Sequence, residues 1–335
     1  MKTRTFLRNL AGVAIAISIL APVTACLETT VGPVFEHALS HEPQFTERPE
    51  TPAAESIPAG AIGIATVMQL QQIGKHPGYP RDGHYVLTQD IDASATANWN
   101  NGKGFEPVGM RERGQWNTAF DGVFDGRGHV ITALTINRPD EDLVGLFGAI
   151  GRNSVIKRVG LRDANVAGQS AVALLVAYNG GHVKESYATG RVRGENTVGG
   201  LVGSNGGPVS DVYALVSVDG AWHSGGLVGT NGGEIIRCFV VGTVAEGEVN
   251  NNPLVGDMPD SGDVMGSLEH CFHHSSVTGH EDSYSWGSVA CTTAEMQTRK
   301  TFTEAGWDFD EVWAIDEGES YPYLRWESRS RRDTR

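Results

Sequence analysis

Leu175-Val176-Ala177-Tyr178-Asn179-Gly180-Gly181, Leu201-Val202-Gly203-Ser204-Asn205-Gly206-Gly207 and Leu227-Val228-Gly229-Thr230-Asn231-Gly232-Gly233 are three copies of one phrase. Their leading leucines step by 26 residues, and Leu254-Val255-Gly256 follows 27 residues on as a worn fourth copy. Gly145-Leu146-Phe147-Gly148 is an earlier, looser one. A fixed period of that size marks a chain of repeated units, each burying its apolar side only by stacking on its neighbours.

A second phase follows each turn. Val183 to Val192 aligns with Val209 to Val218, with Ile235 to Val244 and with Leu268 to Val277, while Ile156 to Leu161 starts the series and Asn165-Val166 sits one residue out of phase. Short β-branched runs broken by glycine pairs are strand-and-turn grammar. A helical repeat would need two helices per unit, which 26 residues so rich in glycine cannot supply. The Leu-x-x-Leu-x-Leu signature of leucine-rich repeats is absent. The fold class expected is all-β: a parallel (right-handed) β-helix solenoid with short helical and aromatic caps, each coil about 4.8 Å above the last.

Alternation assigns the faces. Ser186, Val212, Cys238 and Cys271 form one inward column, Ala188, Ala214 and Val240 another, and Val192, Val218, Val244 and Val277 a third. Asn179, Asn205 and Asn231 form a structural column in which stacked amides hydrogen-bond up and down, so that polar groups inside the coil are not left unpaired. The ladder stops at Met258, where Asp257 to Gly266 inserts a longer loop.

Repeats of the form Gly-Leu-Val-Gly resemble the GLUG-motif family, named for glycine, leucine, an uncharged residue and glycine. The resemblance covers residues 144–280 and implies a β-helical, adhesin-like protein of the bacterial surface. No catalytic motif travels with the repeat.

Ahead of the repeats, residues 61–143 read as an N-terminal cap and first, larger coils. Val67 to Ile73 is patterned as a short amphipathic helix, and Tyr85 to Asp92 and Phe120 to Ile131 as strands. Residues 281–326 read as a C-terminal cap, with Thr292 to Gly306 as a helix and Trp307, Phe309, Tyr321, Tyr323 and Trp326 sealing the last coil. Residues 1–25 have the pattern of a signal peptide: Lys2, Arg4 and Arg8, then an apolar stretch from Ala11 to Ala21. Val23-Thr24-Ala25-Cys26 resembles a bacterial lipobox, which implies lipidation of Cys26 and a partner in the membrane itself. Leu27 carries no aspartate retention signal, which by the same resemblance favours the outer membrane and leaves surface and periplasmic display both open. Residues 26–60 read as a disordered tether and 327–335 as a basic tail.

The 335 residues carry a formal charge of −14, and the basic leader makes the mature chain more negative still. That excludes nucleic acid, whose binding needs clustered Lys and Arg. Four cysteines in so long a chain are no disulfide scaffold. Cys238 and Cys271, one above the other, are either a strained disulfide or two stacked thiols, with Cys291 as a competing partner.

Outside the coil, Arg158, Glu185, Asp211, Arg237 and His270 share a column. Glu185 and Asp211 have the spacing of a glycosidase carboxylate pair, but flanking arginines also read as a surface charge ladder. Beside them Tyr187, Tyr213, Phe239 and Phe272 form an outward aromatic stripe, and with Glu185 and Asp211 they are the candidate ligand-binding residues. A covering loop or cap is the alternative reading of that stripe. His270, His273, His274 and His280 lie on a strand that reads as solvated, and Asp92, Asp121 and Asp125 read as turn residues; no metal and no cofactor is expected. The functional expectation is a membrane-anchored envelope lipoprotein displaying a binding or adhesion domain for a glycan or protein. The alternative is a β-helical polysaccharide lyase or hydrolase.

Overall fold

The computed structural model describes residues 56–109, 114, 116–245, 249–259, 266–276 and 286–327. The signal segment, Cys26, most of the tether, Val277, His280 and the tail from Ser328 onward lie outside the described residues.

The repeat folds as a parallel β-solenoid. Six short strands, from Val108–Gly109 through Phe147–Ile150, Val176–Asn179, Val202–Asn205 and Val228–Asn231 to Val255–Asp257, stack in that order as one sheet. The remaining strands of the coils form a second, larger parallel sheet. Register follows the repeat: Asn179 pairs with Asn205 and Asn205 with Asn231, while Tyr187, Tyr213, Phe239 and Phe272 pair in succession. Ala188, Ala214 and Val240 stack likewise, as do Val192, Val218 and Val244. The phase slip before Asn165 is a bulge, where pairing of Leu161 with Ala188 gives way to Ala164 with Gly190 and Asp163 takes φ 53°.

Each coil bends at residues with left-handed backbone. One column of corners is Arg158, Glu185, Asp211, Arg237 and His270, with φ between 47° and 54° for the carboxylates and 55° for His270. A second column is Leu143, Ala171, Thr197, His223 and Asn250, with φ of 58°, 53°, 56°, 52° and 52°. Side chains at such φ cost about 1–2 kcal/mol each, so the stacking of neighbouring coils has to hold them there. The glycines of the repeat have a different cause. A Cβ on Gly207 or Gly233 would collide with the carbonyl oxygen of Gly181 or Gly207, because successive coils approach there backbone to backbone.

The interior is a continuous stack of Val, Leu and Ile, joined by Phe120, Phe124 and Phe147 at the N-terminal end. The N-terminal helix, Val67–Gln72, starts where the Thr66 hydroxyl accepts the Gln69 N–H at 3.2 Å. It buries Val67 and Leu70, with Ile73 just beyond, and turns Met68 to solvent.

The C-terminal segment departs from expectation in two ways. Residues 292–306 form two short helices, Thr293–Met296 and Arg299–Thr303. Thr298 breaks them with φ −111° and ψ 115°, its hydroxyl donating to the Ala294 carbonyl at 2.7 Å. Nor do the aromatics that follow simply close the last coil. Trp307 lies beside Phe272, Trp313 beside Phe239 and Tyr213, and Trp326 beside Tyr187 and Gly128, so the segment runs back along the flank of the solenoid as a strap. A small antiparallel pairing of Trp313–Ala314 with Tyr323–Leu324 stiffens it.

Candidate functional site

The aromatic stripe points out of the coil, as alternation requires, yet it is not a contact surface. Tyr187, Tyr213, Phe239 and Phe272 are 2 %, 5 %, 0 % and 5 % exposed. Their rings stack at 5.0 Å from Tyr187 to Tyr213 and from Tyr213 to Phe239. With Met296, Phe302, Trp307, Phe309, Trp313 and Leu324 they make a second apolar cluster, separate from the coil interior. The reading of these four rings as accessible ligand-binding residues is therefore corrected: the strap supplies the apolar partner they need.

The adjacent corner column is the rail on which the strap sits. The indole N–H of Trp326 donates to the Glu185 carbonyl at 3.0 Å, that of Trp313 to the Asp211 carboxylate at 3.3 Å, and that of Trp307 to the His270 carbonyl at 2.9 Å. Asp211 is 6 % exposed and is gripped by Arg237 through two hydrogen bonds of 2.7 Å. Arg158 and Lys157 pair with Asp125. Burial pushes the Asp125 carboxyl up, but the Arg158 guanidinium, the Arg127 backbone N–H and Lys157 outweigh it and hold the group below its ordinary range. Glu185 has the Lys184 ammonium at 3.7 Å. Glu185 and Asp211 are thus neighbours on adjacent coils but not an open carboxylate pair, and the ligand-binding role expected of Asp211 is corrected with that of the rings, while Glu185 stays half-exposed.

The asparagine column is a hydrogen-bonded ladder inside the coil. Asn179 Nδ2 donates to Asn205 Oδ1 at 2.7 Å and Asn205 Nδ2 to Asn231 Oδ1 at 2.8 Å. Each side-chain oxygen also accepts the backbone N–H two residues on, from Gly181, Gly207 and Gly233. At the top, Asn231 Nδ2 donates to the carbonyls of Gly233 and Ser267.

Cys238, Cys271 and Cys291 are free and buried. Cys238 and Cys271 donate to the carbonyls of Ile236 and Glu269, both at 3.2 Å. Burial, then the neighbouring Cys271, pushes the Cys238 thiol up.

Of the histidines, His270 is exposed, but the strand that carries His273 and His274 is not solvated. His273 and His274 are 6 % and 4 % exposed; His273 hydrogen-bonds Ser288 at 3.0 Å, and His274 bridges Ser276 and Thr293 at 2.6 and 2.8 Å. Among the described residues no group of three or more His, Cys, Asp or Glu side chains converges as a metal site. Burial, then His274, pushes the His273 imidazole down from 6.5 to about 4. Below pH 6.5 the unfolded chain therefore takes up a proton that the folded chain refuses until about pH 4. Stability present in full above pH 6.5 is expected to fall by on the order of 2 kcal/mol across that window. Urea denaturation at pH 7 and pH 4.5 should show that loss, and His273→Gln should flatten it; an unchanged slope in the variant would exclude His273 as the source.

Two features escaped the reading of the sequence. His182 Nε2 and Ser210 Oγ share a hydrogen bond of 3.1 Å across adjacent coils. Burial, then Lys184, pushes the His182 imidazole down, and no carboxylate hydrogen-bonds the ring among the described residues. The second feature lies along the other corner column. Ser170, Asn196, Trp222 and Val249 are in register there, one per coil. Asp142, Gln169, Ser170, Glu195, Asn196 and Trp222 line an open groove of about 370 Å³. Gln169 Nε2 donates to Glu195 Oε2 at 3.4 Å, Thr197 Oγ1 to Asn196 Oδ1 at 2.9 Å, and the backbone N–H groups of Glu195 and Asn196 to the Gln169 carbonyl. Trp222 is 38 % exposed. Walking the 26-residue step past the end of the strand would have found this column.

No family model matches the chain. It is 38 % identical over 128 residues to halomucin of Haloquadratum walsbyi, a stretch covering 38 % of this chain and 1 % of that protein. It is 33 % identical over 117 residues to a candidate Gly-rich membrane protein of Evansella cellulosilytica, covering 35 % of this chain and 13 % of the other. The chain thus spans a small part of the length of either relative. Among solved structures, a candidate immunoglobulin A1 protease from Bacteroides ovatus superposes with a TM-score of 0.58 at 18 % identity, covering 79 % of this chain and 92 % of that one. At that identity the likeness is one of fold.

Proposed function

We propose that the chain is a lipid-anchored lipoprotein of the bacterial cell envelope whose β-solenoid serves as a rigid binding or adhesion module. The observation that carries binding over catalysis is the state of Asp211: its carboxylate is buried against Arg237 and Trp313, so the pair Glu185–Asp211 has no open face toward a substrate. Relatives named for a mucin and for a membrane protein support an envelope setting. The anchor rests on Val23-Thr24-Ala25-Cys26, where more than one acyl chain, at about 0.8 kcal/mol per buried CH₂, gives lasting attachment.

Cys26→Ala is expected to move the protein from the membrane pellet to the soluble fraction of lysed cells. Retention in the pellet would overturn the anchor. Degradation of a polysaccharide by the purified chain, abolished in Glu185→Gln, would favour the lyase or hydrolase reading instead.

A further inference from the structure

We propose that His223, Asn250 and Asp257 form a binding site for a divalent transition-metal ion of the zinc(II) class, on the outer corner of the solenoid where the short sheet ends.

The repeat brings the three side chains together. His223 lies in the strand Tyr213–Gly225 and Asn250 in Val249–Asn252. Trp222 pairs with Val249 and Ser224 with Asn251, so Asn250 stands one coil above His223, at the same left-handed corner and with the same φ of 52°. Asp257 ends the next strand, Val255–Asp257, the last of the short sheet. Two passages of the chain round one corner therefore present an imidazole, a carboxamide and a carboxylate to one point.

No placement of protons satisfies the three contacts at once. His223 Nδ1 is 3.3 Å from Asp257 Oδ2, and Asn250 Nδ2 is 3.4 Å from His223 Nδ1 and 3.3 Å from Asp257 Oδ1. A proton on Nδ1 can be donated to Asp257, but it then faces the Asn250 N–H. A bare Nδ1 accepts from Asn250, but its lone pair then faces the carboxylate. Turning the amide so that its oxygen points inward, the other orientation open to any asparagine, sets three lone-pair donors around one gap. A cation in that gap satisfies all three.

The spacing and the atoms select the ion. Ligands about 2.0–2.1 Å from a tetrahedral zinc lie about 3.3–3.4 Å from one another, which matches the distances between these groups. Imidazole nitrogen suits zinc and its transition-metal neighbours, whereas calcium and magnesium take oxygen. The His223 and Asp257 side chains are 28 % and 22 % exposed, so water can complete the coordination. An ion held there joins strands of two successive coils. The unfolded chain has no such arrangement, so binding adds to the stability of the fold.

The purified full chain, stripped of metal with a chelator and then dialysed, is titrated with zinc chloride in a calorimeter and with cobalt(II) chloride in a spectrophotometer at neutral pH. One zinc ion per chain, the intense visible bands of tetrahedral cobalt and a zinc-dependent rise in unfolding temperature are expected, with none of these responses to calcium chloride. His223→Asn keeps a residue that tolerates the left-handed corner, and Asp257→Asn keeps the shape of the side chain, so both variants retain the fold. Losing a group that merely orients a ligand costs about 10–100-fold in metal affinity, so each variant should weaken zinc at least tenfold and lose the thermal shift. Three outcomes overturn the proposal: zinc does not bind one to one, both variants bind it as well as the parent, or calcium is preferred. In the first case the three side chains are a plain hydrogen-bonded corner, and in the second the zinc sits elsewhere.

Discussion

A chain ended at Cys291 is expected to remain a folded solenoid and to become sticky: it should bind the dye ANS and self-associate more strongly than the full chain. The reason is that the protein has two apolar clusters. The coil interior is closed by the coils themselves. The second cluster exists only because Trp307, Trp313, Phe302 and Leu324 lie against Tyr187, Tyr213, Phe239 and Phe272. Removing the strap leaves four stacked rings in a row on the flank, a contiguous apolar patch of the kind that drives association. Trp313→Ala is the milder form of the same experiment. That indole is fully buried, touches Tyr213, Phe239 and Trp307, and donates to Asp211. Its loss should cost about 3–5 kcal/mol of stability, the range for a large aromatic truncated in a core. A truncated chain that is monomeric and does not bind dye would mean the stripe does not need its cover. One that fails to fold at all would make the strap a clamp on the coils instead.

How far the sequence could be read depends on whether a feature repeats. The asparagine and valine columns were legible because the same letter returns every 26 residues, and a solenoid turns sequence period into vertical contact. The corners were not. Arg158, Glu185, Asp211, Arg237 and His270 share one left-handed backbone conformation, and nothing in four residue types announces a positive φ. Alternation put the aromatic stripe on the right side of the sheet but is silent about what lies over it. Trp307, Trp313 and Trp326 belong to a segment without the period, so their docking on corner carbonyls and a carboxylate had no signature to find. Trp222 is the opposite case: it has the period, with Asn196 and Ser170 in register on the preceding coils and Val249 on the next.

Asn205→Ala and Asn231→Ala should each be more damaging than Asn179→Ala. Asn205 is the middle rung: it accepts from Asn179, donates to Asn231 and accepts from the Gly207 N–H. Removing its amide strands the Asn179 Nδ2 donor and the Gly207 N–H inside a core where Asn205 itself is 3 % exposed. Each buried group left without a partner costs about 1–3 kcal/mol, so a loss of roughly 3–5 kcal/mol follows. Asn231→Ala strands the Asn205 Nδ2 donor and the Gly233 N–H in the same way and takes the donor from the Gly233 and Ser267 carbonyls. Asn179→Ala loses less, because without it the Asn205 oxygen still holds the Gly207 N–H. Asn205→Asp keeps the shape yet gains nothing, because it sets a carboxylate oxygen against Asn231 Oδ1 and adds a buried charge. Urea denaturation of the three alanine variants checks the order, and amide hydrogen exchange should show the lost protection centred on Val176–Asn179, Val202–Asn205 and Val228–Asn231. Equal losses at all three positions, or a neutral Asn205→Asp, would mean that the amides stack without being coupled. The ladder would then be a by-product of the Asn-Gly turns and not part of what holds one coil in register with the next.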